Sequence, residues 1–359
     1  MKILIFSWRD IKNPEAGGVD VFIYEIMKRL VKRGHEVKML VSKFKSCKEK
    51  ETIDGIKIIR AGGKLLFLLR AKKYYEKYLS GEKFDVVIDA VQVNPYFPHK
   101  FVDGKTIAII FQLNREYWFY EAPFPINFLG YYWLEKKWFR EYAKTNVPVI
   151  TISNSSKKSL QSLGFKKIHL VYPGVSKIST NIKKRKNPTI IYLGRLKRAK
   201  RPDHALEAFK IVKKEIPNAE LWIVGQGYLR KKLEKQAKKI KDVKFFGYVS
   251  EKKKFELLSK AWLSVNPSVM EGWGIVVIES NACGTPCVGY NIPGLSDSIV
   301  NGKTGILVEN GNIKKLAEAI IKILKDEKLR KRLSKNALNW SKKFSWDKSA
   351  EKFLKIISS

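Results

Sequence analysis

Apolar positions along the chain alternate between two periods. Residues 2–6 form a short continuous apolar run, the pattern of a strand buried on both faces. A polar loop with Gly17 and Gly18 follows. Over 19–32 the apolar residues Val19, Phe22, Ile23, Ile26, Met27 and Leu30 recur at helical spacing. Gly34 ends that helix, and 36–41 reads as the next strand. The same alternation predicts strands at 56–59, 85–89, 106–111, 148–152 and 169–172. Helices are predicted over 65–78 and from a Ser153 cap to 163.

The pattern lapses over 174–187, a polar, basic stretch without periodicity, and restarts after it. Strands are predicted at 189–193, 220–224, 243–246, 263–266, 287–289 and near 305–308. Helices are predicted at 202–215, 229–239, 252–259, 274–282, 296–300 and from 313 onward. The expected fold is therefore α/β, with two Rossmann-like domains facing across a cleft. Their expected bounds are 1–173 and 188–345, joined by the linker 174–187, with a last helix in 346–359 crossing back to the first domain.

A chain of 359 residues, 45% hydrophobic, is large enough for two cores and too apolar for disorder. No apolar run reaches the 18 or so residues of a membrane-spanning helix. The run at 2–6 is too short for a secretory signal. Cys47, Cys283 and Cys287 make no disulfide framework, which fits a cytoplasmic location. The Cys283–Cys287 spacing lacks a second Cys/His pair, so no metal site is expected there. The net charge of +37 is the outlier; it favours polyanionic partners such as nucleic acid, an anionic membrane surface or phosphorylated substrates. No RRM, KH, helix-turn-helix or zinc-finger signature accompanies it, so no nucleic-acid partner is expected. Aromatic residues crowd 112–139, and with the leucines and cations of 65–78 they suit a peripheral position on the inner face of a cytoplasmic membrane.

Candidate chemistry gathers in the second half. Gly194 and Arg195 follow the strand at 189–193, and Lys200 precedes the next helix. Two fixed cations at a strand end suit a diphosphate, Arg as a fork and Lys as a point charge. In Glu271-Gly272-Trp273-Gly274-Ile275, Glu271 falls in a turn, and the helix that follows carries Glu279. The helix start offers free N–H groups and the positive dipole end to an anion. Gly302-Lys303-Thr304 lacks the earlier glycine of a P-loop; Asp297 occupies that position. Gly225-Gln226-Gly227 has Arg230 where a dinucleotide fingerprint has its third glycine.

In this order Gly17-Gly18, Gly194-Arg195 with Lys200, Val224 to Gly227, Pro267-Ser268, Glu271 to Gly274, Glu279 and Ala282 to Pro286 resemble the motifs of glycosyltransferase family 4. The resemblance covers the whole chain and is strongest over 190–310. It implies a retaining GT-B transferase that uses a nucleotide sugar. On that resemblance Arg195 and Lys200 neutralise the donor diphosphate, Glu279 holds the ribose hydroxyls and Glu271 lies beside the donor sugar. Backbone groups of Gly272, Trp273, Gly274 and Ile275 bind sugar or phosphate, Gly17 and Gly18 approach the phosphate, and Tyr248 and Val249 meet the base.

Family members often carry a histidine where Phe111 stands here, and none of the four histidines replaces it. Gln112, Asn114 and Arg115 are the acceptor-side candidates there. The expected reaction moves a hexosyl unit from a UDP- or GDP-linked sugar to a hydroxyl of a glycan or lipid-linked acceptor. No Asp-x-Asp motif is present, so neither metal nor other cofactor is expected. The rival readings are a basic nucleic-acid-binding protein, a glycogen-type enzyme and a non-catalytic sugar-nucleotide binder.

Overall fold

A computed structural model describes residues 1–63, 67–176 and 182–359. The chain divides into two compact units. One comprises Met1–Arg115, Phe128–Gly174 and Trp346–Ser359; the other comprises Glu116–Asn127 and Val175–Ser345.

The first unit is built on an eight-stranded sheet. Its strands are β1 (Lys2–Phe6), β2 (Glu36–Val41), β3 (Lys50–Ile53), β4 (Ile56–Arg60), β5 (Val86–Val91), β6 (Lys105–Ile110), β7 (Val149–Thr151) and β8 (Ile168–Leu170), in the order β3-β4-β2-β1-β5-β6-β7-β8. Every pairing is parallel except β3 with β4. Burial explains the composition: all of Val86–Val91 is buried, as a parallel strand covered on both faces requires. The helices are α1 (Gly18–Lys32), α2 (Phe67–Tyr78), the short α3 (Tyr117–Glu121) and α4 (Ile126–Leu129), α5 (Glu135–Ala143) and α6 (Asn154–Gln161), capped by Ser153. Of these, α3 lies in the second unit by its contacts.

The second unit has an all-parallel six-stranded sheet of β9 (Thr189–Leu193), β10 (Glu220–Val224), β11 (Val243–Gly247), β12 (Leu263–Asn266), β13 (Cys287–Tyr290) and β14 (Gly305–Val308), ordered β11-β10-β9-β12-β13-β14. Its helices are α7 (Pro202–Glu215), α8 (Arg230–Ala237), α9 (Glu251–Lys260), α10 (Ile275–Ala282), α11 (Leu295–Ser298), α12 (Ile313–Lys325) and α13 (Glu327–Ser341). The last helix, α14 (Trp346–Ser358), returns to the first unit, where Trp346 packs on Phe22 and Asp347 pairs with Arg29 of α1.

In each sheet the connection reverses direction beside one strand. β1 has β2 on one side and β5 on the other; β9 has β10 and β12. Loops leaving the carboxyl ends of such strand pairs diverge and leave a crevice, the usual ligand position in doubly wound sheets.

Three differences from the sequence reading have physical causes. The strand β3 is four half-exposed residues at an antiparallel edge, too short and too polar for a strand signal. The excursion Glu116–Asn127 packs within the second unit although its sequence neighbours build the first. Helix α10 starts at Ile275, because Gly274 adopts φ 80° and caps it instead of joining it. Leu65 and Leu66 of the predicted helix 65–78, and 177–181 of the predicted linker, lie outside the described residues.

Candidate active site

The crevice beside β9 holds the second unit's candidates. After β9 the chain turns through Gly194 and Arg195 to Lys200, and after β12 it runs from Pro267 to Glu271. The two loops meet in an ion pair: Lys200 Nζ donates to Glu271 Oε1 at 2.6 Å. Ser268 Oγ lies 2.9 Å from the same oxygen and 2.7 Å from Asn266 Oδ1, with one proton to share between them. Burial pushes the Glu271 carboxyl upward, but the Lys200 charge and the bonds from Lys200, Ser268 and Asn266 outweigh it, leaving its pKa below the usual value. Tyr192, buried on β9, donates to the carbonyls of Arg195 at 3.2 Å and Lys200 at 3.4 Å, holding the cation loop from beneath.

Glu279 lies inside α10, 8% exposed, and its Oε1 accepts from Lys254 Nζ of α9 at 2.6 Å. Lys254 also donates to Glu251 at 2.7 Å. Here burial wins over the lysine, and the Glu279 pKa is raised. The two carboxyls are thus shifted in opposite directions from the ordinary value, Glu271 down and Glu279 up.

Trp273 is only 2% exposed, and its indole packs edge-to-face on Phe344 at 5.1 Å. Gly225 and Gly227 serve close packing. A Cβ at Gly225 would stand 2.0 Å from Gly194 O, and one at Gly227 would stand 2.2 Å from Leu196 O. Gly294, at φ 83°, lies so close that a Cβ would meet Glu271 O at 2.1 Å. Tyr248, just after β11, is 82% exposed, and Val249 packs on the core beneath β10 and α9.

In the first unit the crevice beside β1 carries Gly17 and Gly18 at the start of α1. Asp20 accepts from Gly17 N at 2.8 Å and from Gln92 Nε2 at 2.7 Å, and Arg9 Nε stands 3.5 Å from it. The loop entering this turn is pinned by Arg60, whose guanidinium donates to both Asp10 oxygens at 2.8 and 3.0 Å. Phe111 is buried edge-to-face against Phe22 at 5.6 Å. Asn114 is buried, with its side-chain amide 3.5 Å from Val93 O. Gln112 is half-buried and Arg115 is exposed at φ 40°.

Sequence reasoning gave no site role to Asn266, Ser268, Lys254 and Gly294. Ser268 entered only within the Pro267-Ser268 motif and Asn266 only as a strand end, and Pro293-Gly294 is a visible turn signal. Lys254 is one of three consecutive lysines, and nothing in the sequence separates it from its neighbours.

The chain matches two family descriptions end to end: Glycosyltransferase Family 4 over residues 16–177 and Glycosyl transferases group 1 over 176–340. An uncharacterized glycosyltransferase of Methanocaldococcus jannaschii is 26% identical over 360 residues, covering 97% of this chain and 95% of that protein. Sucrose-phosphate synthase from Thermosynechococcus elongatus superposes with a TM-score of 0.82 at 19% identity, over 99% of this chain and 98% of that one. Anabaena HepE in complex with UDP and glucose superposes with a TM-score of 0.76 at 16% identity, over 100% and 99%. The fold is thus that of the GT-B glycosyltransferases, with a sheet switch point in each unit. The chain belongs to glycosyltransferase family 4 and is a transferase enzyme.

Proposed function

We propose that this enzyme moves a hexosyl unit from a UDP- or GDP-linked sugar to an acceptor hydroxyl, with retention of anomeric configuration and without metal. The observation carrying this reading is the meeting of the cation loop with Glu271, through Lys200, at a sheet switch point that also holds Glu279. The Anabaena protein of the same fold is known with UDP-glucose, which supports a nucleoside diphosphate sugar as the donor.

In this reading the bond between the anomeric carbon and the diphosphate breaks as the acceptor oxygen bonds to the same face of that carbon. Arg195 and Lys200 stabilise the departing diphosphate. The acceptor proton passes to a phosphate oxygen of the leaving group. Glu279 accepts the ribose hydroxyls, and Glu271 the hydroxyls of the donor sugar. Gly17, Gly18 and the backbone from Gly272 to Ile275 approach phosphate and sugar, and Tyr248 and Val249 lie beside the base. Gln112, Asn114 and Arg115 belong to the acceptor side; Asn114, being buried, acts there by shaping the loop.

The acceptor is lipid-linked, and the enzyme works on the inner face of a cytoplasmic membrane. Supporting this are Phe128, Leu129, Tyr132 and Trp133, all exposed on a helical stretch of the first unit. The same stretch continues into Lys136, Lys137 and Arg140, which suits apolar insertion with a cationic rim on anionic lipid.

A screen of UDP-glucose, UDP-galactose, UDP-N-acetylglucosamine and GDP-mannose tests the reading. One donor should be consumed by the wild type and not by Glu271→Ala. Full turnover of every accepted donor by that variant overturns it.

A further inference from the structure

The loop from Arg195 to Arg201 carries five cations in seven residues. Such a run repels itself and needs fixed anions or dipoles to hold one shape. Three of its partners come from a distant part of the sequence, the short helix α3. Glu121 Oε1 accepts from the backbone N–H of Ala199 at 2.9 Å, and its other oxygen lies 3.9 Å from Lys197 Nζ. The same lysine stands 4.5 Å above the Tyr117 ring and donates to its hydroxyl. Arg201 donates to the Tyr120 hydroxyl at 2.8 Å and lies 5.4 Å from that ring's centre. Tyr228 completes the set: its hydroxyl accepts from Arg198 N at 2.9 Å and reaches both Glu121 oxygens at 3.4 Å.

The contacts divide the loop by position. Lys197, Ala199 and Arg201 are engaged by α3, while Lys200 is turned to Glu271. We infer that Glu121 is a positioning residue of the donor site: it ties down the backbone between Arg195 and Lys200, so that these two cations stand ready for the diphosphate of a nucleotide. A carboxylate suits the task because it takes the Ala199 N–H and also offsets part of the loop's charge, which a neutral amide does not. The inference rests on the nucleotide-sugar reading above and adds a residue that lies about 75 positions before the loop it serves, outside every motif of the second half.

Equilibrium binding of UDP, UMP, GDP and GMP to the full chain tests it, using wild type, Glu121→Gln and Tyr120→Phe, with thermal unfolding of each. For Glu121→Gln the diphosphate that binds the wild type should bind about tenfold more weakly, the equivalent of roughly 1.4 kcal/mol. Its advantage over the monophosphate should shrink, with a melting temperature near that of the wild type. Unchanged diphosphate affinity overturns the inference. So does an equal loss for mono- and diphosphate that tracks a lowered melting temperature, since that is what a merely structural role gives. If Glu121→Gln does not fold, Tyr120→Phe decides by the same comparison, a reduced diphosphate advantage supporting the inference and an unchanged one overturning it. A wild type that binds neither UDP nor GDP removes the nucleotide-sugar reading itself, and this inference with it.

Discussion

Lys200 and Glu271, on loops that leave two neighbouring strands, share a 2.6 Å charged hydrogen bond, and Ser268 holds the same carboxylate oxygen from the other side. Glu271 is therefore an ionised, oriented acceptor whose counter-ion is a cation assigned to the leaving group. Glu271→Gln keeps the volume and removes the charge. It should lower kcat/KM for the accepted donor by about a hundredfold or more, the range for losing one charge-stabilising group. Steady-state kinetics check this, and a loss under threefold would remove Glu271 from the chemistry.

Gly294→Ala should act on the same residue through its backbone. The new Cβ cannot coexist with Glu271 O, and the backbone there is left-handed. A destabilisation of about 1–3 kcal/mol is expected, with a fall in kcat larger than the change in donor affinity. Chemical denaturation and kinetics on the one variant measure both.

Lys254→Met should leave Glu279 buried without its lysine. The lysine opposes the upward push of burial on that carboxyl, so its loss raises the pKa further, which on the proposed reading weakens the contact to the donor ribose. Donor affinity should fall about tenfold while turnover at saturating donor changes little. Calorimetric titration with UDP and GDP would show unchanged binding if Lys254 were only a surface lysine.

Asp89 is fully buried within β5 and accepts from Tyr96 N, Phe97 N and the Tyr142 hydroxyl. Burial, against those three bonds, pushes its pKa up to about 7. The folded state thus holds a proton that the unfolded chain releases near the ordinary carboxylate value. Its relative stability is greatest at acid pH and declines as pH rises toward 7, by an amount on the order of a few kcal/mol. Asp89→Asn should flatten that decline. Melting temperatures of both proteins across pH 4 to 8 test it, and parallel curves would contradict it.

Trp133→Ser combined with Phe128→Ser should abolish flotation with anionic vesicles while leaving nucleotide binding within about twofold, since neither residue is a donor-site candidate. Wild-type protein that stays with the soluble fraction at low salt would dismiss the membrane reading.

The second unit was largely readable because each strand ends in a short loop whose chemistry is local. Arg195, Lys200 and Glu271 stand in loops at strand and helix ends that periodicity locates, Glu279 lies inside the helix that follows, and the switch point brings the loops of Lys200 and Glu271 together. Lys254 and Glu121 were not readable for a different reason. Each meets its partner across a separation, 25 residues for Lys254 with Glu279 and 78 for Glu121 with Ala199, that no spacing rule reaches. The stretch at 112–139 was obscure too. Its aromatics follow neither strand nor helix period, because 116–127 packs in one unit, 128 onward in the other, and a π-helical turn at Gly130–Leu134 breaks the helical register.

The excursion at Glu116–Asn127 and the return of α14 make the polypeptide pass between its two units four times. Neither unit is a continuous stretch of gene. Recombination between relatives at the single junction near 174 would exchange the cation loop but keep the old α3, and would import a foreign last helix against α1. Residues near 120 should then change in step with residues near 200.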